Sequence, residues 1–174
     1  MHEFSLNKKK AINALLYLLK QVGGSWDMYC ILKILYFAEI NHLKIYGRPI
    51  TGDTIIAMDH GPVPSFSYDE IKTDNLDKKY FSRDKENFVS SKSDPDLDFL
   101  SESEIESLDL SLKENKDLNF AQLREKSHNA AYEYVYKNKG EGEPISYIDI
   151  ARVENVDPEM IKYMSSNIEF AQWR

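Results

Sequence analysis

Four histidines, one cysteine and a lysine set in an apolar run are the residues whose types could do chemistry here. The histidines are His2, His42, His60 and His128, and no two stand four apart as a helical metal-binding pair requires. Local roles account for them: His60 hydrogen-bonds its own corner, and His128 caps or packs within its helix. Cys30 is the single cysteine, which excludes an internal disulfide and a cysteine-rich zinc site. Its neighbours are apolar, and burial there raises a thiol's pKa and quiets the nucleophile. Ser65 follows His60 closely and offers a nucleophile–base pair, with Asp53 as an acid that only folding could bring near. Nothing marks an oxyanion hole, a Walker lysine or a Gly-x-Gly-x-x-Gly cradle. The expectation is a protein with no catalytic residue, metal or cofactor.

Lys33 is the single charged residue between Tyr29 and Ala38. A buried ammonium must be paired or reach water. The simpler expectation is a stem lying along apolar surface with its head in solvent. The alternative is a polar cluster with Asp53, Tyr36 or His60 beside a Gly-Pro corner.

Charge points outward, to a partner. The chain carries 22 Lys+Arg against 29 Asp+Glu, and nine acids lie between Asp94 and Asp117 against two bases, Lys113 and Lys116. That excess equals the net charge of −7. With Glu102, Glu104 and Glu106 inside it, this segment repels nucleic acid and steers a basic partner toward itself. A solvated helix face is the plainer explanation of such a run. Ile150-Ala151, Val156, Ile161 and Met164 approximate a helix-turn-helix over 146–172. Glu159 and Glu169 stand there against Lys162 and Arg174, which is poor chemistry for phosphate. DNA binding therefore ranks below protein binding.

The elements that must position these residues are mostly helices. Ile12, Leu15, Leu16, Leu19 and Val22 recur at helical spacing until Gly23-Gly24 stops them. A second helix, Asp27 to Tyr46, is apolar nearly all round and reads as the buried centre, ended by Gly47. Thr54 to Met58 suits a short strand, and His60-Gly61-Pro62-Val63-Pro64 a rigid corner, with Pro64 in the first turn of a helix reaching Ile71. Between Lys72 and Asp98 periodicity lapses, and Lys79–Ser82 with Asn87–Ser90 forms a plausible hairpin. Ser101 and Glu104 have the spacing of a capping box, and Ile105, Leu108 and Leu112 continue that helix. A helix is expected from Phe120 to Tyr136, and a last one from Asp157-Pro158-Glu159 with Ile161, Met164 and Ile168 inward. At 174 residues one domain suffices. The N-terminus shows no secretory design, and the longest apolar stretch, Cys30 to Ala38, is too short for a bilayer, so a cytoplasmic protein is expected. The fold class is mainly α, with a minor β-hairpin or short β element.

The run Leu32-Lys33-Ile34-Leu35-Tyr36-Phe37-Ala38, then His42-Leu43 and Tyr46-Gly47-Arg48-Pro49-Ile50-Thr51-Gly52-Asp53, resembles the signature of the Panacea domain. Ala57-Met58 and His60-Gly61-Pro62-Val63-Pro64 continue it in order. Leu100-Ser101-Glu102, Leu108 and Leu123-Arg124-Glu125-Lys126-Ser127-His128 resemble the family's second half. The resemblance covers about residues 8–152 of a single domain 1–174, most specifically 32–64, and leaves 153–174 as an accessory C-terminal helix. The family is mostly helical and similar to SocA-type antitoxins of prophage and bacterial toxin–antitoxin operons. The resemblance implies a non-enzymatic antitoxin that binds and neutralises a toxin encoded beside it, the acidic segment suggesting a basic one. Some members act as adaptors that deliver the toxin to a protease. Carried over to this chain, the motif residues are Lys33, Tyr36, Asp53, His60, Gly61, Pro62 and His128. Where the family commonly has a tryptophan after Ser-His, this chain has Asn129-Ala130-Ala131-Tyr132, with Tyr132 a substitute.

Overall fold

A computed structural model describes residues 3–72 and 79–172, with side chains through Ile168. His2, the segment 73–78, the Glu169 side chain and Arg174 lie outside the described residues. Among those described, eight α-helices surround one another with five short strands in two small sheets.

Helix α1 (Lys8–Gln21) begins where the Asn7 side chain accepts the free Lys10 N–H. It ends at a Gly23-Gly24 pair, both at positive φ. Strand β1 (Ser25–Asp27) follows, and the Asp27 carboxylate accepts the Tyr29 and Cys30 N–H groups to start α2 (Met28–Tyr46). Ile31, Leu32, Ile34 and Leu35 are wholly enclosed, each contributing roughly 1.5–3 kcal/mol by leaving water. α2 is the axis of the molecule, as its all-round apolarity requires, and Gly47 ends it in the left-handed conformation, φ 66°.

Strands β2 (Ile55–Met58) and β3 (Gly61–Pro64) form a hairpin with Ala57 opposite Pro62 and Asp59-His60 at its tip. The expected corner at His60–Pro64 is thus a strand. Proline is tolerated because β3 lies at the sheet edge, where missing N–H donors break no ladder. The other edge of β2 is covered by residues 142–145: Ala57 N–H donates to the Glu143 carbonyl and Gly142 N–H to the Ala57 carbonyl. Helix α3 (Ser65–Lys72) leaves β3 directly. Strands β4 (Phe81–Arg83) and β5 (Phe88–Ser91) make the anticipated hairpin, and β1 joins it through Trp26 opposite Val89.

Helix α4 (Glu102–Asn115) carries the Ser101/Glu104 capping box and packs along α2. The single helix expected from Phe120 to Tyr136 is two, α5 (Phe120–Ser127) and α6 (Ala130–Asn138). Asn129 breaks it, its side chain accepting the Tyr132 N–H to restart the backbone as an N-cap. Helices α7 (Tyr147–Val153) and α8 (Pro158–Gln172) pack together, with Ile150, Ala151, Val156 and Met164 buried. Ile150, Ala151, Val156 and Met164, whose spacing is helix-turn-helix-like, form the buried seam of this helical pair.

Candidate functional site

Lys33 faces inward. It is 1% exposed, so its head does not snorkel to solvent. β3 and the end of α5 close over the stem, and Nζ donates to the Pro62 carbonyl at 2.8 Å. Around it stand Gly61, Ser127 and His128: a Cβ built on Gly61 would lie 2.6 Å from Nζ, 2.8 Å from Ser127 Oγ and 2.9 Å from His128 Cδ2. Gly61 has φ +96°, so glycine is required both by the tight hairpin and by this close approach. Burial, with the Arg124 guanidinium nearby, pulls the Lys33 pKa down to about 7.

Three of the sequence-selected residues therefore meet at Lys33, namely Gly61, Pro62 and His128, and His60 lines the same hollow. His60 sits at the exposed hairpin tip, edge-on to Tyr29 and Phe120, with Nδ1 3.6 Å from Asp59. Two tyrosines of α6 grip that tip, Tyr132 donating to the Met58 carbonyl and Tyr136 to Asp59. His128 ends α5 and lies against the Tyr132 ring, centroids 4.3 Å apart. Its Nε2 is buried without a hydrogen-bond partner, and burial first, then Lys33 and Arg124, lower its pKa. A cavity of about 240 Å³ opens here between Tyr29, Lys33, Asp59, His60, Gly61 and Tyr68.

Asp53 and Tyr36 are placed elsewhere. The Asp53 carboxylate accepts Phe66 N–H, Ser67 N–H and Ser67 Oγ–H, all at 2.9 Å, and so caps α3 from a distant loop. Burial nonetheless raises its pKa. The loop itself is folded on Glu39, a buried carboxylate taking Ile50 N–H at 2.6 Å, Thr51 N–H and the Thr51 hydroxyl. Burial pushes Glu39 up to about 7. A cavity of about 380 Å³ beside Asp53 is thus backed by a carboxylate already spent on a helix start. Tyr36 is buried and its hydroxyl accepts from Asn129 Nδ2, which also donates to Glu154.

The three glutamates of α4 separate. Glu102 and Glu106 are exposed. Glu104 is fully enclosed, its carboxylate held by Lys10 at 2.6 Å, Arg48 at 2.9 Å and the Ser101 N–H. Burial opposes its ionisation, but these hydrogen bonds outweigh that and hold its pKa below the usual range.

No Ser65–His60 nucleophile–base pair is assembled among the described residues. Ser65 opens α3, giving its N–H to Thr54, and makes no hydrogen bond with His60 among the described residues. Burial, then Asp27, pushes the Cys30 thiol up to about 12. No three His, Cys, Asp or Glu side chains converge as metal ligands among the described residues. No described helix is long and apolar enough to cross a membrane. The arrangement around Lys33 is a partly charged hollow beside the β2–β3 hairpin.

Sequence reasoning missed Glu39, Arg124, Ser127 and Asn129. Glu39 had a signal, a second charge one residue past the apolar stretch that singled out Lys33. The other three are ordinary polar residues of a helix end and gain meaning only from what lands on them.

No curated protein and no solved structure shows a significant match to this chain. A family model does, that described as antitoxin SocA-like, Panacea domain, over residues 31–133. The matched stretch runs from the first turn of α2 into α6 and contains Lys33, His60, Gly61, Pro62, His128 and the Glu39 loop, while Tyr29 and Glu141 of the hollow lie outside it. It is more than half of the chain, which belongs to the SocA-like antitoxin family with a Panacea domain.

Proposed function

We propose that this protein is an antitoxin that binds a cognate protein toxin and holds it inactive by covering it, making and breaking no covalent bond. Family membership over residues 31–133 is the observation that carries this reading. The molecule's physical chemistry supports it. The hairpin tip is pinned by Tyr132 and Tyr136, and the Glu39 loop by a buried carboxylate, so little conformational entropy remains to be lost on binding. Glu102 and Glu106 on α4 would steer a basic partner, while burial of specific groups supplies lifetime. His60, at the exposed tip, is the first contact, with Lys33, Gly61, Pro62 and His128 behind it. Tyr36, Asp53 and Glu104 hold the frame on which that face is presented.

The test is to express the reading frame adjacent to this gene alone and then together with this protein. Growth arrest by the first, relieved by the second, with the two chains co-purifying at undiminished toxin level, is the expected result. Relief accompanied by protease-dependent disappearance of the toxin would replace masking by delivery. Arrest that persists on co-expression would overturn the antitoxin reading altogether.

A further inference from the structure

Lys33 is a buried ammonium with one acceptor, the Pro62 carbonyl, and no carboxylate pairs with it among the described residues. Two of its three N–H donors are left for something else. Its charged neighbour on α5 is Arg124, which repels, and the pKa of His128 beside it is lowered by burial first and then by these two cations. A group this deprived of counter-charge is pulled down to about 7, which is the price of burying it without an acid.

The hollow above it has a definite character. Its floor is Lys33 and the Gly61 backbone, its walls are Tyr29, Tyr68, Met58 and Val63, and Asp59 and Glu141 stand in water at its mouth. Asp59 is already engaged by Tyr136 and the His60 ring and does not reach the floor. An occupant must bring one negative charge to the ammonium and an apolar body to the rings. It must also pass two acids, which disfavours a doubly charged phosphate.

We infer that the hollow floored by Lys33 is a binding site for a monocarboxylate with an apolar or aromatic body, its carboxylate pairing with the Lys33 ammonium beside Gly61. The missing counter-ion would be supplied by the ligand, a charge-assisted contact far from bulk water. The carboxylate could belong to a free small molecule or to an acidic residue of a bound protein. This inference stands on the cavity alone and needs no toxin.

Full-length protein is titrated with benzoate, and separately with benzamide and phenyl phosphate. The readouts are the Gly61 amide resonance and the Lys33 side-chain nitrogen resonance. Benzoate shifts both, whereas benzamide and phenyl phosphate are weaker by about tenfold or more. Lys33→Met keeps the stem and abolishes the benzoate response at Gly61. If that variant fails to fold, the Lys33 resonance of the unaltered protein still decides. Equal binding of benzoate and benzamide, or no response at tens of millimolar, overturns the site. Benzoate is then added to the complex with the co-purified neighbour protein. Release assigns the natural carboxylate to that partner, and an undisturbed complex in which benzoate still shifts the Lys33 resonance assigns it to a free molecule. Should no neighbour bind at all, the antitoxin reading falls while the first titration remains decisive for the site.

Discussion

Gly61 lies against Lys33 so closely that a single methyl on its Cα would sit 2.6 Å from the ammonium nitrogen. The glycine also has φ +96°, a backbone conformation that L side chains rarely adopt. Gly61→Ala therefore meets two penalties, backbone strain and the displacement of a buried cation from its one acceptor. Together they should cost about 2–4 kcal/mol in unfolding free energy. Gly140→Ala is the control, since φ is +109° there but no atom lies within 4 Å of the added methyl. Chemical denaturation should rank Gly61→Ala well below Gly140→Ala, and equal losses would mean that strain alone matters.

Glu104 and Glu106 are two residues apart on α4 and should behave as opposites. Removing the Glu104 charge leaves Lys10 and Arg48 facing an uncompensated hollow and replaces the charged acceptor of the capping box by a neutral amide. Both cations can partly turn to water, so Glu104→Gln should lose about 2–3 kcal/mol rather than the full figure for a sealed pair. Glu106→Gln, on the exposed side, should stay within about 0.5 kcal/mol. The sign with pH follows from the lowered carboxyl. The stabilisation is present above its unfolded value of 4.5 and disappears as pH falls through the folded one. Acid titration of stability should therefore be shallower in Glu104→Gln.

Two buried groups on α2 oppose each other across neutrality. Lys33 falls from 10.5 to about 7, so between those values the unfolded chain holds a proton that the folded chain has shed. Stability then rises with pH over that window. Glu39 rises from 4.5 to about 7, so between those values the folded chain holds the extra proton and stability falls as pH climbs. Each slope approaches about 1.4 kcal/mol per pH unit at most. His42 and His128, both lowered, lean the other way on the acid side, so variants must be compared by difference. Relative to the unaltered protein, Lys33→Met should lose the alkaline rise and Glu39→Gln the acid fall. Parallel curves for either variant would show that its group does not titrate in the window assigned.

These contrasts mark where sequence sufficed and where it did not. Helices α1, α2 and α4 were legible because their apolar spacing and caps are local: Gly47 ends α2 and Ser101 opens α4 where spacing predicts. The pair α5–α6 was read as one helix because Asn129, the cap that divides it, sits inside an unbroken periodic run. Strand β1 went unseen because its partner is β5, with Ser25 opposite Ser90, and no local pattern announces so distant a pairing. The motif residues were found by type, but their grouping was not. Gly61, Pro62 and His128 gather at Lys33 because β3 and the end of α5 both close on α2, His60 stands at the rim of the same hollow, and Asp53 is drawn off to cap α3. Burial of the Lys33 stem is a tertiary outcome, and helical spacing alone favoured a head in water.

The structure narrows which acids of the 94–117 segment can steer a partner. Glu104 is consumed internally, Asp94 is paired with Lys20 and Asp109 accepts from Tyr17. Glu102 and Glu106 are exposed and form no ion pair among the described residues, so they carry the steering field of this face. Reversing both, Glu102→Lys with Glu106→Lys, should slow association with the cognate toxin several-fold at low ionic strength and flatten its salt dependence. Dissociation should change little, because rim charges set encounter while buried contacts set lifetime. Thermal stability should also be nearly unaltered, which separates this variant from any that includes Glu104. Stopped-flow association at two salt concentrations decides the matter: an unchanged low-salt rate removes α4 from the encounter and leaves the Lys33 face to act alone.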